Sequence, residues 1–140
     1  DGVMAIFGLT TDPQTACRQA LDAARRMALA LDDLNEALSG DLDMPLRIGI
    51  GLHAGPAIVG EMGYERAAQI TAIGDTVNTA SRLESLTKEF GAELVVSQEL
   101  LDSAGVDPEA APRHDVEIRG RQGRLAVRAF KSAVDLTAMS

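Results

Sequence analysis

A chain of 140 residues suffices for one domain with a real core, and 46% hydrophobic residues without a long biased tract set a globular protein as the expectation. Lys and Arg number 13 against 21 Asp and Glu, a formal charge of -8, which argues against a nucleic-acid or anionic-lipid surface and makes any polyanionic ligand depend on a local cluster of cations or bound metal. The one cysteine, Cys17, excludes an intrachain disulfide. With no signal sequence and no apolar run near the ~20 residues that cross a bilayer, the expected setting is cytoplasmic, with no membrane contact by this segment and any tether outside it.

Val3 to Phe7 reads as a buried strand closed by Gly8. It follows Asp1-Gly2 without a polar lead, so the sequence is expected to begin inside an element, with part of the domain on its N-terminal side. Thr10-Thr11-Asp12-Pro13 is a turn and a helix start, with Asp12 as cap and Pro13 in the first helical position. A long helix follows: Ala16, Ala20, Ala24, Met27, Leu31, Leu34 and Leu38 recur at spacings of three and four, and Gly40 provides a stop. The alternating, glycine-rich run from Leu46 to Val59 predicts two strands joined at Gly55-Pro56. Gly60 to Ala67 then forms a turn or projecting hairpin, and Ile70 to Ile73 a further strand. Gly74-Asp75 opens a second helix reaching about Thr87, with Val77, Ala80, Leu83 and Leu86 on one side and Asn78, Ser81, Arg82 and Ser85 on the other.

Glu93 to Val96 is the next strand, and Ser97-Gln98-Glu99 starts a short helix that ends near Gly105. Strands at Asp115 to Ile118 and Leu125 to Phe130 flank a basic turn carrying Arg119, Arg121 and Arg124. Strands alternating with helices and closing in a hairpin predict an α+β fold, one domain over residues 1–140, with the sheet on one side and helices on the other.

The strongest site signal is the strand-turn-helix IGDTVNTASR. Gly74 permits a tight turn, and Asn78 and Arg82 stand one helical turn apart on one face. An amide beside a guanidinium suits orientation of a ribose oxygen and neutralisation of charge growing on a phosphoryl group, because Arg is a planar donor fork that stays protonated. By spacing alone a solvated helix face fits at least as well. Arg119, Arg121 and Arg124 suit a pyrophosphate grip or a soluble loop tip. Arg47 begins the glycine-rich strand and is a weak candidate for a phosphate contact, since strand-end arginines usually snorkel. His53 reads as a hydrogen-bonded core or turn residue, and without further ligands at suitable spacing zinc is not expected. Asp1, at a strand end, suits a Mg²⁺ contact or an ordinary turn. Neither a P-loop nor a G-x-S-x-G elbow occurs.

Taken in order, DGVMAIFG, RIGIGLHAGPAIVGEMG and ITAIGDTVNTASRLES resemble the class III adenylyl and guanylyl cyclase catalytic domain over practically the whole chain. The resemblance implies a ferredoxin-like cyclase fold, an antiparallel-rich sheet packed against helices, N-terminally incomplete here, that works as a homodimer with active sites between subunits. It implies cyclisation of ATP to cyclic AMP and pyrophosphate with two Mg²⁺ or Mn²⁺ ions, and a regulatory domain upstream. Residue by residue, Asp1 matches the second metal-binding aspartate, while Asn78 and Arg82 match the pair that orients the ribose and stabilises the transition state. Thr71 matches the base-selecting position, where many adenylyl cyclases carry Asp and one bacterial-type subclass carries Thr. Arg119 matches the phosphate-contacting basic residue of the final hairpin. Arg47 stands two residues earlier than the arginine that meets the terminal phosphates in mammalian-type domains. The first metal aspartate and the base-selecting lysine of the family would precede Asp1. Guanylyl cyclase activity on GTP and a catalytically silent dimerisation or nucleotide-sensing module are the alternatives. A diguanylate cyclase is disfavoured, because no G-G-D-E-F segment occurs.

Overall fold

Asp12 starts the first helix as its sequence context requires. Its carboxylate accepts the Thr15 N–H at 3.2 Å and the Thr15 hydroxyl at 2.6 Å, and Pro13 occupies the first helical turn, where its missing N–H costs nothing. The same Thr15 bonds, the hydroxyl's first, hold the Asp12 carboxyl below its usual range. In the computed structural model, which describes residues 2–62, 69–120 and 123–136, those at 61, 62 and 69–71 by backbone alone, this helix (α1) spans Pro13–Ala37.

Ala16, Ala20 and Ala24 of the expected stripe are buried, joined by Cys17, Leu21 and Ala28 one position round. Met27 and Leu34 are instead 51% and 45% exposed. No residue of α1 beyond Ala28 is buried, and of the leucines expected there Leu31 and Leu38 are half-buried, so the last turns lie at the margin of the core formed by the described residues.

A four-stranded sheet runs in the order β1 (Ile50–Leu52), β4 (Leu94–Ser97), β6 (Arg124–Phe130), β5 (Arg113–Glu117). β1 and β4 are parallel, so the chain between them must cross over, and helix α2 (Asp75–Phe90) makes that crossing. The pairs β4–β6 and β5–β6 are antiparallel. β2 (Ile58–Met62) and β3 (Gln69–Ile73) form a separate antiparallel pair with Ile58 opposite Ile73 and Gly60 opposite Thr71. The strands expected on either side of Gly55-Pro56 therefore exist but do not pair with each other. The α+β class holds, with antiparallel pairings in the majority among the described residues.

The layering differs from the expectation of helices on one side only. Leu94 and Val96 of β4 join Leu21 and Ala24 of α1 and Leu101 and Ala104 of helix α3 (Gln98–Ala104) in one apolar cluster, while Val95 joins Leu83 and Leu86 of α2 in another. Successive side chains of a strand point to opposite faces, so the sheet lies between α1 and α3 on one face and α2 on the other. A strand covered on both faces reads as a continuous apolar run, as Leu-Val-Val does here.

The approach of α2 to β1 is made by glycines. A Cβ on Gly51 would overlap the Glu84 nitrogen and the Ala80 carbonyl oxygen of α2, and one on Gly49 would overlap the Thr87 hydroxyl. Alternation puts both glycines on the same face of the strand, and their missing side chains leave the groove that the helix fills.

Val3 to Phe7 is not a buried strand. Among the described residues no strand pairs with it, so its backbone joins no ladder and its side chains stay accessible, Val3 at 98% and Met4 at 49%. Among the described residues no helix is long and apolar enough to cross a membrane.

Candidate active site

Helix α2 is aimed by its two ends. It begins at Gly74, whose φ of 132° lies where an L side chain is strained, and ends at Gly91 in the left-handed conformation at φ 58°. Leu83 and Leu86 are buried against the sheet and Thr79 and Thr87 are buried beside them, which leaves Asn78, Ser81, Arg82 and Ser85 exposed. The polar side expected of this helix is thus open, with Asn78 and Arg82 one turn apart on it, whereas of the expected apolar side Leu83 and Leu86 are buried and Val77 and Ala80 only half-buried.

That face forms one wall of a cleft of about 630 Å³. Asp75, Thr76, Asn78, Thr79 and Arg82 line it from α2, residues 53–56 from the loop after β1, and Ile118, Arg119 and Gly120 from the turn after β5; Glu99 of α3 completes it. A neighbouring depression shares Arg82 and Arg119 and adds Arg124. In a chain of net charge -8, the guanidinium groups of Arg82, Arg119 and Arg124 are thus gathered at one place, with the carboxylates of Asp75 and Glu99 also lining the cleft and that of Glu117 the depression. Arg82 lies 3.7 Å from Glu89, and Arg124 lies 3.8 Å from Glu117. Both pairs are exposed and worth about 0–1 kcal/mol, little enough that either guanidinium can turn to a stronger anion.

The structure therefore brings Asn78, Arg82 and Arg119 together. Thr71 stands in β3 opposite Gly60, and nothing is described of its side chain. Asp1, the expected metal ligand, lies outside the described residues, as does Arg121. Arg47 is exposed ahead of β1 and is not among the residues lining the cleft. Its neighbour Leu46 is fixed to α1 by Asn35, whose amide donates to the Leu46 carbonyl at 3.0 Å and accepts from the Leu46 N–H at 2.7 Å.

His53 and Thr76 line the cleft without having been singled out for it by the sequence. His53 is half-buried with Nδ1 2.8 Å from the hydroxyl of Ser97, so the expected hydrogen bond exists, but the imidazole also lines the cleft. Thr76 donates its hydroxyl to the Pro56 carbonyl at 2.5 Å. The partners lie 44 and 20 residues away, and no local spacing signals either bond.

Whether these residues suit a metal can be judged from their donors. Among the described residues no group of three or more His, Cys, Asp or Glu could hold an ion. Asp75 and Glu99 line the cleft among arginines, an amide and hydroxyls, a set that fits phosphate oxygens and makes no cation cage.

Residues 1–130 match the family described as the adenylate and guanylate cyclase catalytic domain. An adenylate cyclase of Anabaena cylindrica is 32% identical over 139 residues, which cover 94% of this chain and 27% of the Anabaena protein. Adenylate cyclase 1 of Rhizobium meliloti (strain 1021) is 32% identical over 127 residues, covering 88% of this chain and 19% of that protein. The chain therefore spans only a minor part of either relative's length. Among solved structures, that of the guanylyl cyclase Cya2 superposes with a TM-score of 0.72 at 27% identity, covering 88% of this chain and 61% of that one.

Proposed function

This chain belongs to the adenylate and guanylate cyclase catalytic domain family, and from that premise we propose that residues 1–140 act as a single catalytic domain that converts ATP to 3′,5′-cyclic AMP and pyrophosphate. The observation that carries this reading is the convergence of Asn78, Arg82 and Arg119 on one cleft in an otherwise acidic chain.

In the proposed reaction the ribose 3′-oxygen attacks the α-phosphorus in line, the bond from that phosphorus to the bridging oxygen breaks, the hydroxyl proton is lost and pyrophosphate departs. The Asn78 amide orients the ribose. The Arg82 guanidinium offsets negative charge growing on the α-phosphoryl oxygens, and the Arg119 guanidinium holds oxygens of the phosphate chain. Positioning and charge compensation supply the acceleration, because phosphoryl transfer asks little covalent chemistry of the protein. Cyclases of this family use divalent metal ions, and we assign Asp1 as the ligand this chain contributes to Mg²⁺ or Mn²⁺. Thr71 is assigned to the base.

We further propose that the site is shared by two copies, Asp1 acting from one and the α2 pair from the other. The exposed apolar side chains of the β2–β3 pair, Ile58 at 71% and Ile73 at 53%, are cross-strand neighbours and support a surface that a second copy covers. The greater length of the relatives supports a regulatory domain elsewhere in the protein.

Guanylyl cyclase activity is the second reading, favoured by the likeness to Cya2. Incubating the whole protein with Mn²⁺ and either ATP or GTP and identifying the products tests both. Cyclic AMP from ATP is the expected result, cyclic GMP alone transfers the assignment to the second reading, and no cyclic product from either nucleotide removes both.

A further inference from the structure

The loop of residues 53–56, which lines the cleft with Arg119, is held at both ends. At its start His53 bonds Ser97, whose hydroxyl is fully buried and also accepts the Leu100 N–H at 3.2 Å to cap α3. Near its end the Pro56 carbonyl accepts the Thr76 hydroxyl. The loop is thereby tied to α3 and to the first turn of α2, so Pro56 offers α2 a fixed point to lean on.

Helix α2 needs such a point. Its cap residue is Gly74, which has no side chain to close the first turn, and the Val77 and Asn78 N–H groups both lean on the Gly74 carbonyl at 3.1 Å. A glycine at φ 132° is a free pivot rather than a fixed one. The Thr76 bond crosses from that first turn to a different segment, two positions before Asn78 and on the same wall of the cleft. Gly55 leaves room for it, since a Cβ there would stand 2.6 Å from the Thr76 hydroxyl oxygen.

We propose that Thr76 is a positioning residue for the cyclase reaction: by latching the start of α2 to the Pro56 carbonyl it sets the aim of Asn78 and Arg82 at the nucleotide. The inference rests on the cyclase reading for its consequence, while the latch itself is a property of the fold. In this role Thr76 acts through its neighbours, its hydroxyl hydrogen being committed to the Pro56 carbonyl.

Thr76→Val keeps the side chain's volume and removes the donor. In the whole protein it should lower kcat by roughly 10- to 100-fold with KM near the wild-type value, because misaimed groups lose the transition state more than the ground state. Thr76→Ser, which restores the hydroxyl, should recover most of the lost rate. Gly55→Ala should reproduce the defect, and combining it with Thr76→Val should add little, since both break one contact. Amide exchange gives a reading independent of catalysis: Thr76→Val should speed exchange at Val77 and Asn78 and leave β4 and α3 unchanged.

Unchanged exchange at those amides overturns the latch. An active wild type whose Thr76→Val variant loses melting temperature but keeps kcat overturns the positioning role, as does failure of Thr76→Ser to rescue. A wild-type protein that makes no cyclic nucleotide removes the cyclase reading instead, and the exchange data then decide the latch alone.

Discussion

Arg82 holds a guanidinium between a weak exposed partner, Glu89 at 3.7 Å, and an open cleft that Arg119 also lines. A cation kept so loosely can be recruited by a stronger anion, and it speeds the reaction to the extent that the charge it meets grows in the transition state. Arg82→Ala in the whole protein should therefore lower turnover by roughly 10²-fold or more with a smaller effect on KM. Steady-state kinetics on ATP check this, and unchanged turnover takes Arg82 out of the mechanism. Asn78 and Arg82 were legible in the sequence because a helix makes neighbours of residues four apart, a purely local rule. His53 and Thr76 were not legible as cleft residues, because each is defined by a partner that only the tertiary fold brings near.

Between elements, the contact that matters most for the site is α2 on β1. The overlap that a Cβ at Gly51 would make is with backbone atoms of Glu84 and Ala80, which cannot swing aside as a flexible side chain would. Gly51→Ala should accordingly push α2 outward and cost about 1–3 kcal/mol of stability, seen as a lower melting temperature, and should carry Asn78 and Arg82 out of register with Arg119. Full stability and activity in that variant would show that the helix does not need the groove. The glycine alternation was visible in the sequence, but it reads equally as strand and turn punctuation, since nothing local says that a helix from 30 residues downstream will lie in it. The same limit explains α1: its Asp12-Pro13 start depends on adjacent residues and is where the sequence puts it, whereas the buried face shifts toward Cys17, Leu21 and Ala28 because the core beneath decides which stripe is covered. The apolar run Val3 to Phe7 shows the converse, strand-like residues with no strand alongside among the described residues.

At the scale of the whole molecule, a site divided between copies has a numerical signature. Full-length Asp1→Ala and Arg82→Ala proteins should each be nearly inactive, yet mixing them equally should restore roughly a quarter of wild-type activity, because random pairing makes half the dimers mixed and each of those carries one intact cleft of two. No recovery, with mixed dimers shown to form, would place the whole site in one copy. Which strands pair was the part of the architecture that the sequence left open, since β1 and β2 are adjacent in the chain and yet belong to different sheets. The gathering of arginines at one place on an anionic chain has a further consequence for how an anion experiences the molecule. The formal charge of -8 on these 140 residues repels the anion at a distance, and screening confines any attraction by Arg82, Arg119 and Arg124 to about one Debye length, ~8 Å at physiological salt. Selection of an anion by this segment is therefore a matter of contact rather than of long-range steering.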